Sequence, residues 1–354
     1  MQVRRGVGVT AATGGGAGDG SGVQKDRQSL RFKDSRTGVD VVLVGTMHYN
    51  PASIHLAAST VRGLSEADDL AAIVLETCPS RWAKTLKMQP KNALMRKLLD
   101  NEFQAATEVA EPDVRIVLGD QRIEDLSVSA KAVLKLTWEE FTNPLGGGWA
   151  RLLANWQAGY AREVAGVPGA GLTAGDLLFD WRLALCMPVS LFRYPLAWAL
   201  KSPKVIIPFA AFVFGLEQLP GLVPQGAVDV ASGAYVATAP ETAVSALFLV
   251  LDVLQVVFLS QLFLKALLEV RNDILARSIR TACQDAIAAS AAAGAGSDDE
   301  VGAVVAILGA AHLNGVQYRL MEGEEDVGGG GGDAAWWIEE TAATERAAGA
   351  ALPP

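Results

Sequence analysis

Residues 41–81 read VVLVGTMHYNPASIHLAASTVRGLSEADDLAAIVLETCPSR, and the reading of this stretch decides the fold. An apolar run of strand length at 41–44 closes in Gly45-Thr46-Met47-His48. Pro51 then opens a segment in which Ile54, Leu56, Ala57, Val61 and Leu64 recur at helical spacing, and a second apolar run at 71–75 ends in Glu76. The pattern predicts a βαβ unit. Its crossover is long enough for parallel strands, and such crossovers are right-handed, so both strands end at one edge of the sheet. His48 and Glu76 then fall together outside the carboxyl ends of the strands, where open α/β sheets hold their ligands.

The far end of the chain repeats the device. Residues 304–308 (VVAIL) run into Gly309-Ala310-Ala311-His312. The chain has 3 histidines, His48, His55 and His312, and two of them stand three residues after a glycine that closes a predicted buried strand. His55 lies on the intervening helix and reads as a surface or packing residue. A further run at 114–118 ends in Gly119-Asp120-Gln121-Arg122. Four strand ends therefore offer His48, Glu76, Asp120 and His312 to one cleft, although Gly-Asp after a strand is also an ordinary turn.

Two neutral imidazoles and a carboxylate make a donor set for a divalent first-row ion such as Mn, Fe, Co or Zn, with positions left for water and substrate. Hydrolysis of an amide or ester follows from such a set. A metal-free arrangement stays open beside it: one histidine acts as general base on water, Glu76 orients it, and Arg81 or Arg122 steadies the developing oxyanion. Arg81, five residues after Glu76, reads equally as a salt-bridge partner of that glutamate. The glycines do not form a G-x-G-x-x-G or Walker pattern, so no phosphate loop is predicted.

At these residues the chain resembles the TraB/PrgY family, part of a wider group with the Tiki proteins and erythromycin esterases that carries two G-x-x-H motifs. The resemblance rests on GTMH (45–48), ETCPSR (76–81), GDQR (119–122), RNDILARSIR (271–280) and GAAHLNG (309–315), which bracket positions 41–320. It implies an active site built from the two histidines and the strand-end glutamate, metal-dependent peptidase chemistry as in the Tiki branch, and pairing of the first strand with the last. It also raises the reading that Arg271, Asp273 or Arg277 lines the cleft; the plain reading of Asp273 and Arg277 is an i,i+4 pair on a solvated face.

Composition bounds the rest. The chain of 354 residues is 50% hydrophobic, with a mean hydropathy of +0.25, high for a soluble protein. A net charge of −9 disfavours nucleic acid and acidic substrates. Three cysteines, Cys78, Cys186 and Cys283, with no C-x-x-C spacing, point to a reducing compartment. Cys78 reads as a small strand-end hydrophobe. Lys84, Lys87, Lys91, Arg96 and Lys97 suit a solvated helix face. Residues 1–38 read as a disordered leader without the apolar core of a secretory signal; Arg4 and Arg5 precede the first acid, Asp19, which is compatible with an organelle transit peptide, plastid or mitochondrial.

The fold class predicted is α/β, a mostly parallel sheet from βαβ units at both ends of the chain (39–126 and 300–321) with a large helical insertion at 127–287. An Ala/Gly/Ser linker at 288–299 and a disordered tail at 322–354 complete it. Within the insertion, the run 205–223 is interrupted by Pro208, Glu217 and Pro220 and reads as a re-entrant or broken helix packed against the run at 243–264. The 22 residues at 243–264 are long enough to cross a bilayer core of ~30 Å. Their Leu, Val and Phe residues contribute roughly −0.3 to −0.6 kcal/mol each at mid-membrane, against about +2.5 to +3.5 for Asp252. Ser245, Asp252 and Gln255 share one face, so a helix with that face toward protein and its apolar face toward a core or a second copy of the chain stays open.

Two functional readings follow. One is a membrane-associated, metal-dependent hydrolase of a peptide or other amide or ester. The other is a membrane-anchored regulatory or organelle-tethering protein that keeps the fold and turns nothing over. The joint presence of His48, Glu76 and His312 favours the first.

Overall fold

The computed structural model describes residues 22–26, 28–201, 203–229, 231–294 and 301–322, and it has the α/β architecture predicted, with a larger sheet. Strands β1 (Gln24–Asp26) and β2 (Ser29–Lys33) form a hairpin that lies antiparallel on β3 (Asp40–Thr46). The alternation in SLRFK turns Leu30 and Phe32 into the core, where both are buried. Gln24–Asp26 and Ser29–Lys33 therefore belong to the sheet, a correction to the leader drawn at 1–38. Its signal is two apolar residues among charges, too short to stand out as a strand. Residues 1–21, and the transit-peptide reading with them, lie outside the described residues.

The opening unit continues through α1 (Pro51–Glu66), β4 (Leu70–Leu75), α2 (Pro79–Met88), α3 (Leu94–Leu98), α4 (Glu102–Val109) and β5 (Arg115–Leu118). Asn50 caps α1 by accepting the Ala52 amide, with Pro51 at the first helical position where its missing N–H costs nothing. The insertion holds α5 (Ile123–Phe141), α6 (Gly148–Gly159), a wider π-type turn (Tyr160–Ala165), α7 (Ala174–Leu178), α8 (Trp181–Lys201), α9 (Pro203–Glu217) and a small hairpin of β6 (Ala227–Val228) and β7 (Tyr235–Val236). It then runs through α10 (Ala239–Gln261) and a second π-type segment (Leu262–Glu269) into α11 (Val270–Ala292), before β8 (Ala303–Gly309), a 3-10 turn (Ala310–His312) and α12 (Leu313–Glu322).

The six strands lie in the order β1-β2-β3-β8-β4-β5, with β3, β8, β4 and β5 parallel. β8 is central and buried on both faces, which is why its sequence is an unbroken apolar run. Thr46 pairs with Gly309 and Leu75 with Ile307, so the strands end level at one edge. One face packs Val41, Leu43 and Val304 against Leu275 and Ile279 of α11 and Leu313 and Val316 of α12. The other packs Val44, Ile73 and Val305 against Ala57 and Val61 of α1 and Ala106 of α4. α11 is thus a core helix, and it runs to Ala292 because its alanines favour helix, so the linker expected from 288 starts later. Residues 323–354 lie outside the described residues.

Among the described residues, two helices are long and apolar enough to cross a membrane: α8, and the continuous helix Ala239–Ala292 that contains the 243–264 run. Both carry large exposed hydrophobic residues, Phe192 and Trp198 on α8 and Leu249 and Val256 on α10 among them. The 205–223 run does break, as α9 ends at Glu217 and a 3-10 turn covers Leu219–Leu222.

Candidate active site

The level strand ends gather His48, Glu76, Asp120 and His312 around the end of β8. Glu76, the first residue after β4, is buried, and Gly309 is what lets it reach across the central strand. A Cβ at Gly309 would stand 3.2 Å from Glu76 Oε2 and 3.3 Å from His48 Nε2, tighter than either neighbour tolerates without moving. The Gly309 N–H instead donates to Glu76 Oε2 at 2.5 Å. Glu76 Oε1 faces His312 Nε2 at 3.2 Å and accepts from the Arg271 guanidinium. Burial works against the charge on Glu76, but His312 and Arg271 outweigh it and hold its carboxyl well below the usual carboxylate range.

Each imidazole is held from behind. His48 Nδ1 lies 2.5 Å from Glu102 Oε1, and the other oxygen of Glu102 accepts the Tyr49 N–H at 3.3 Å. Glu102 is buried at the start of α4, after the Asn101 cap, where the helix N-terminus favours a carboxylate. His312 Nδ1 lies 2.6 Å from Asn272 Oδ1. Asn272 Nδ2 donates to Glu163 Oε2 at 2.7 Å, and Glu163 is in turn fixed by Arg319 at 2.9 Å. That chain sets the amide orientation: the nitrogen must face the carboxylate, so the oxygen faces His312 and Nδ1 carries the proton. Both histidines therefore turn Nε2 toward Glu76. His48 is the open side of the site, with 31% of its side chain exposed against 6% for His312.

Asp120 joins through arginine. Arg271 donates to both of its oxygens, at 3.1 Å and 2.6 Å, and Arg81 donates to Oδ2 as well. Arg81 thus pairs with Asp120 and not with Glu76; the cation on Glu76 is Arg271, one of the three α11 residues that the resemblance suggested. Asp273 instead pairs with Arg319, and Arg277 is exposed, so the expected Asp273–Arg277 pair does not form. Arg122 is exposed at the N-cap of α5. His55 is exposed on α1, as read. Cys78 is buried, with Sγ 3.3 Å from Ser80 Oγ and 3.4 Å from Arg81 Nε; burial raises its thiol, but these two partners outweigh it and lower it.

α8 closes one side. Ser190 Oγ donates to the His48 carbonyl at 2.6 Å, and the Tyr194 ring stacks on the imidazole with centroids 6.1 Å apart and planes 7° from parallel. Glu102, Asn272, Glu163 and Tyr194 were not legible as site residues. The one local trace is Asn101-Glu102, which reads as a helix cap.

The residues fit a divalent ion in donor type and in orientation, since histidines that ligate metals keep Nδ1 on an acceptor and present Nε2. They do not form a closed cage: among the described residues, no three His, Cys, Asp or Glu donors stand around one point. No protein-family model matches the chain, and no curated protein matches its sequence.

The His48–Glu102 pair carries a pH signature. Burial disfavours the imidazolium, but the Glu102 carboxylate outweighs burial and pushes His48 up to about 9 in the metal-free protein. With the folded value above the ordinary 6.5, the pair's stabilisation is complete below about 6.5 and is lost as the pH rises through about 9. NMR titration should find the His48 resonance moving near pH 9, and Glu102→Gln should bring the midpoint down toward 6.5. A midpoint unchanged by that substitution would remove Glu102 as the cause.

Proposed function

We propose that the chain is a membrane-associated hydrolase of the TraB/PrgY kind, acting on a peptide or another amide or ester with a divalent ion held by His48, Glu76 and His312. The single observation that carries this reading is the contact of His312 Nε2 with Glu76 Oε1 at 3.2 Å while Nδ1 is committed to Asn272. Two lone pairs facing each other repel, so the contact calls for a proton or a metal ion between them. His48, with Nδ1 on Glu102, presents its own Nε2 from the other side.

When bound, an ion there supplies Lewis acidity and lowers the pKa of water. The rest is done by the chain. Glu102 and Asn272 orient the imidazoles, Arg271 is placed to steady developing negative charge in the role first assigned to Arg81 or Arg122, and Tyr194 shields the His48 face from solvent. The metal-free arrangement is less directly supported, because the carboxylate behind His48 is Glu102, and Glu76, which that arrangement asks to orient the base, faces His312 instead.

The test is metal content of the purified protein together with hydrolysis of model peptides and esters. Bound ion and turnover that are lost together on chelation support the reading; turnover untouched by chelation supports the metal-free arrangement. Absence of both leaves the tethering protein. The membrane part has its own measurement. The apolar 243–264 run should keep the protein in the pellet after carbonate extraction, and full release as a detergent-free monomer would sink that part.

A further inference from the structure

The lysines at 84–97, read from the sequence as a solvated face, take a more particular form once folded. Lys84, Lys87, Lys91 and Lys97 of the α2–α3 region are exposed, and none of them forms an ion pair among the described residues. No Asp or Glu occurs between Thr77 and Leu99, in a chain whose net charge is −9. Exposed Leu86, Leu94 and Leu98 stand between the lysines. Arg96 is the exception, paired with Asp100 and Glu108.

α8 continues this face. Lys84 Nζ donates to the Lys201 carbonyl at 2.5 Å, Lys201 Nζ to Thr85 Oγ1 at 3.4 Å, and Arg193 to the Lys97 carbonyl at 3.3 Å. α8 also has no acid, and beside these basic residues it exposes Phe192, Trp198 and Leu200. Lys201 Nζ donates as well to Tyr49 Oη at 3.1 Å, so the basic rim begins one residue from His48.

We propose that α2, α3 and the C-terminal half of α8 form a docking surface for the anionic headgroups of a lipid bilayer, holding the mouth of the His48 site at headgroup level. This rests on the membrane reading of the 243–264 run. Charge complementarity and the apolar side chains choose the occupant together. Unpaired lysines match an anionic leaflet, and the leucines between them, with Trp198 beside, supply the amphipathic body that sits at the headgroup boundary. A net charge of −9 disfavours a nucleic acid, and a lone phosphate calls for a convergent cup; here the lysines are spread along a surface. The substrate that follows is one met at the bilayer surface, an amphiphilic or lipid-anchored peptide or ester.

The experiment places the full chain in nanodiscs of phosphatidylcholine, with and without phosphatidylglycerol, and follows amide exchange at 89–93 between α2 and α3. A lysine at an anionic leaflet is worth about a fivefold shift, so the four together should slow exchange by more than about fivefold in the anionic discs only. Salt at ~1 M, where the Debye length is about 3 Å, should abolish the slowing. So should the K84Q/K87Q/K91Q/K97Q variant, with hydrolysis in detergent unchanged. Equal exchange in the two discs, or a variant that behaves as the parent, overturns the proposal. Equal slowing in zwitterionic discs by added single-stranded RNA gives the face to nucleic acid and overturns it too. Failure to enter either disc overturns the membrane reading itself, and this proposal with it.

Discussion

Replacing His312 by alanine should abolish bound metal and hydrolysis together, and His48→Ala and Glu76→Gln should do the same. The three side chains come from three strands whose carboxyl ends share an edge, and a first-row ion needs donors within ~2 Å, so no two of them replace the third. Asn272→Ala should be graded where those are absolute. It leaves His312 in place but frees its Nδ1, and losing such an orienting partner costs about 10–100-fold in metal affinity or activity. His55→Ala should change neither, because His55 is exposed on α1. Metal titration, turnover and circular dichroism on the same preparations make the comparison. If His48→Ala and His312→Ala keep both ion and turnover with the fold intact, the hydrolase reading is wrong and the tethering reading stands.

The legible half of this site is the half that strands deliver. A glycine closing each of three apolar runs, followed by a chemistry-bearing residue, marks His48, Asp120 and His312, and the period of the runs puts all of them, with Glu76, at one edge. The pairing of β3 with β8 came from the resemblance, and the register has it so, Gly45 opposite Leu308 and Thr46 opposite Gly309. What helices deliver was illegible. Glu102 reaches His48 from 54 positions away, and Glu163 reaches Asn272 across 109, with no local pattern to announce either contact. Arg81 shows how spacing misleads. Five residues after Glu76 suggested a pair, but the first turn of α2 points it at the next strand end, where Asp120 waits.

The insertion was legible as helix and less so in its packing. The run at 243–264 is as long and apolar as it reads. α8 was overlooked because Pro188, Pro195 and its basic residues interrupt the apolar pattern. It nevertheless touches the site, through Ser190 and Tyr194.

Arg271→Met should destabilise the fold by about 3 kcal/mol, the lower end of what breaking a buried ion pair costs. Arg271 bridges two carboxylates, Glu76 and Asp120, whose side chains are 4% and 0% exposed. The lower end applies because each keeps another partner, His312 and the Gly309 N–H for Glu76, Arg81 for Asp120. In a chain of this size that is a fall in Tm of roughly 4 °C. The deficit should depend on pH in one direction. The depressed Glu76 carboxyl contributes stability present above its ordinary 4.5 and lost as the pH falls through its folded value. Without Arg271 that contribution shrinks, so parent and variant differ most near neutral pH and converge in acid. The double variant D120N/R271M should recover part of the loss, since it removes one of the two stranded charges. A single variant as stable as the parent at neutral pH, or a gap that widens in acid, would show that Arg271 does not tie the two strand ends together.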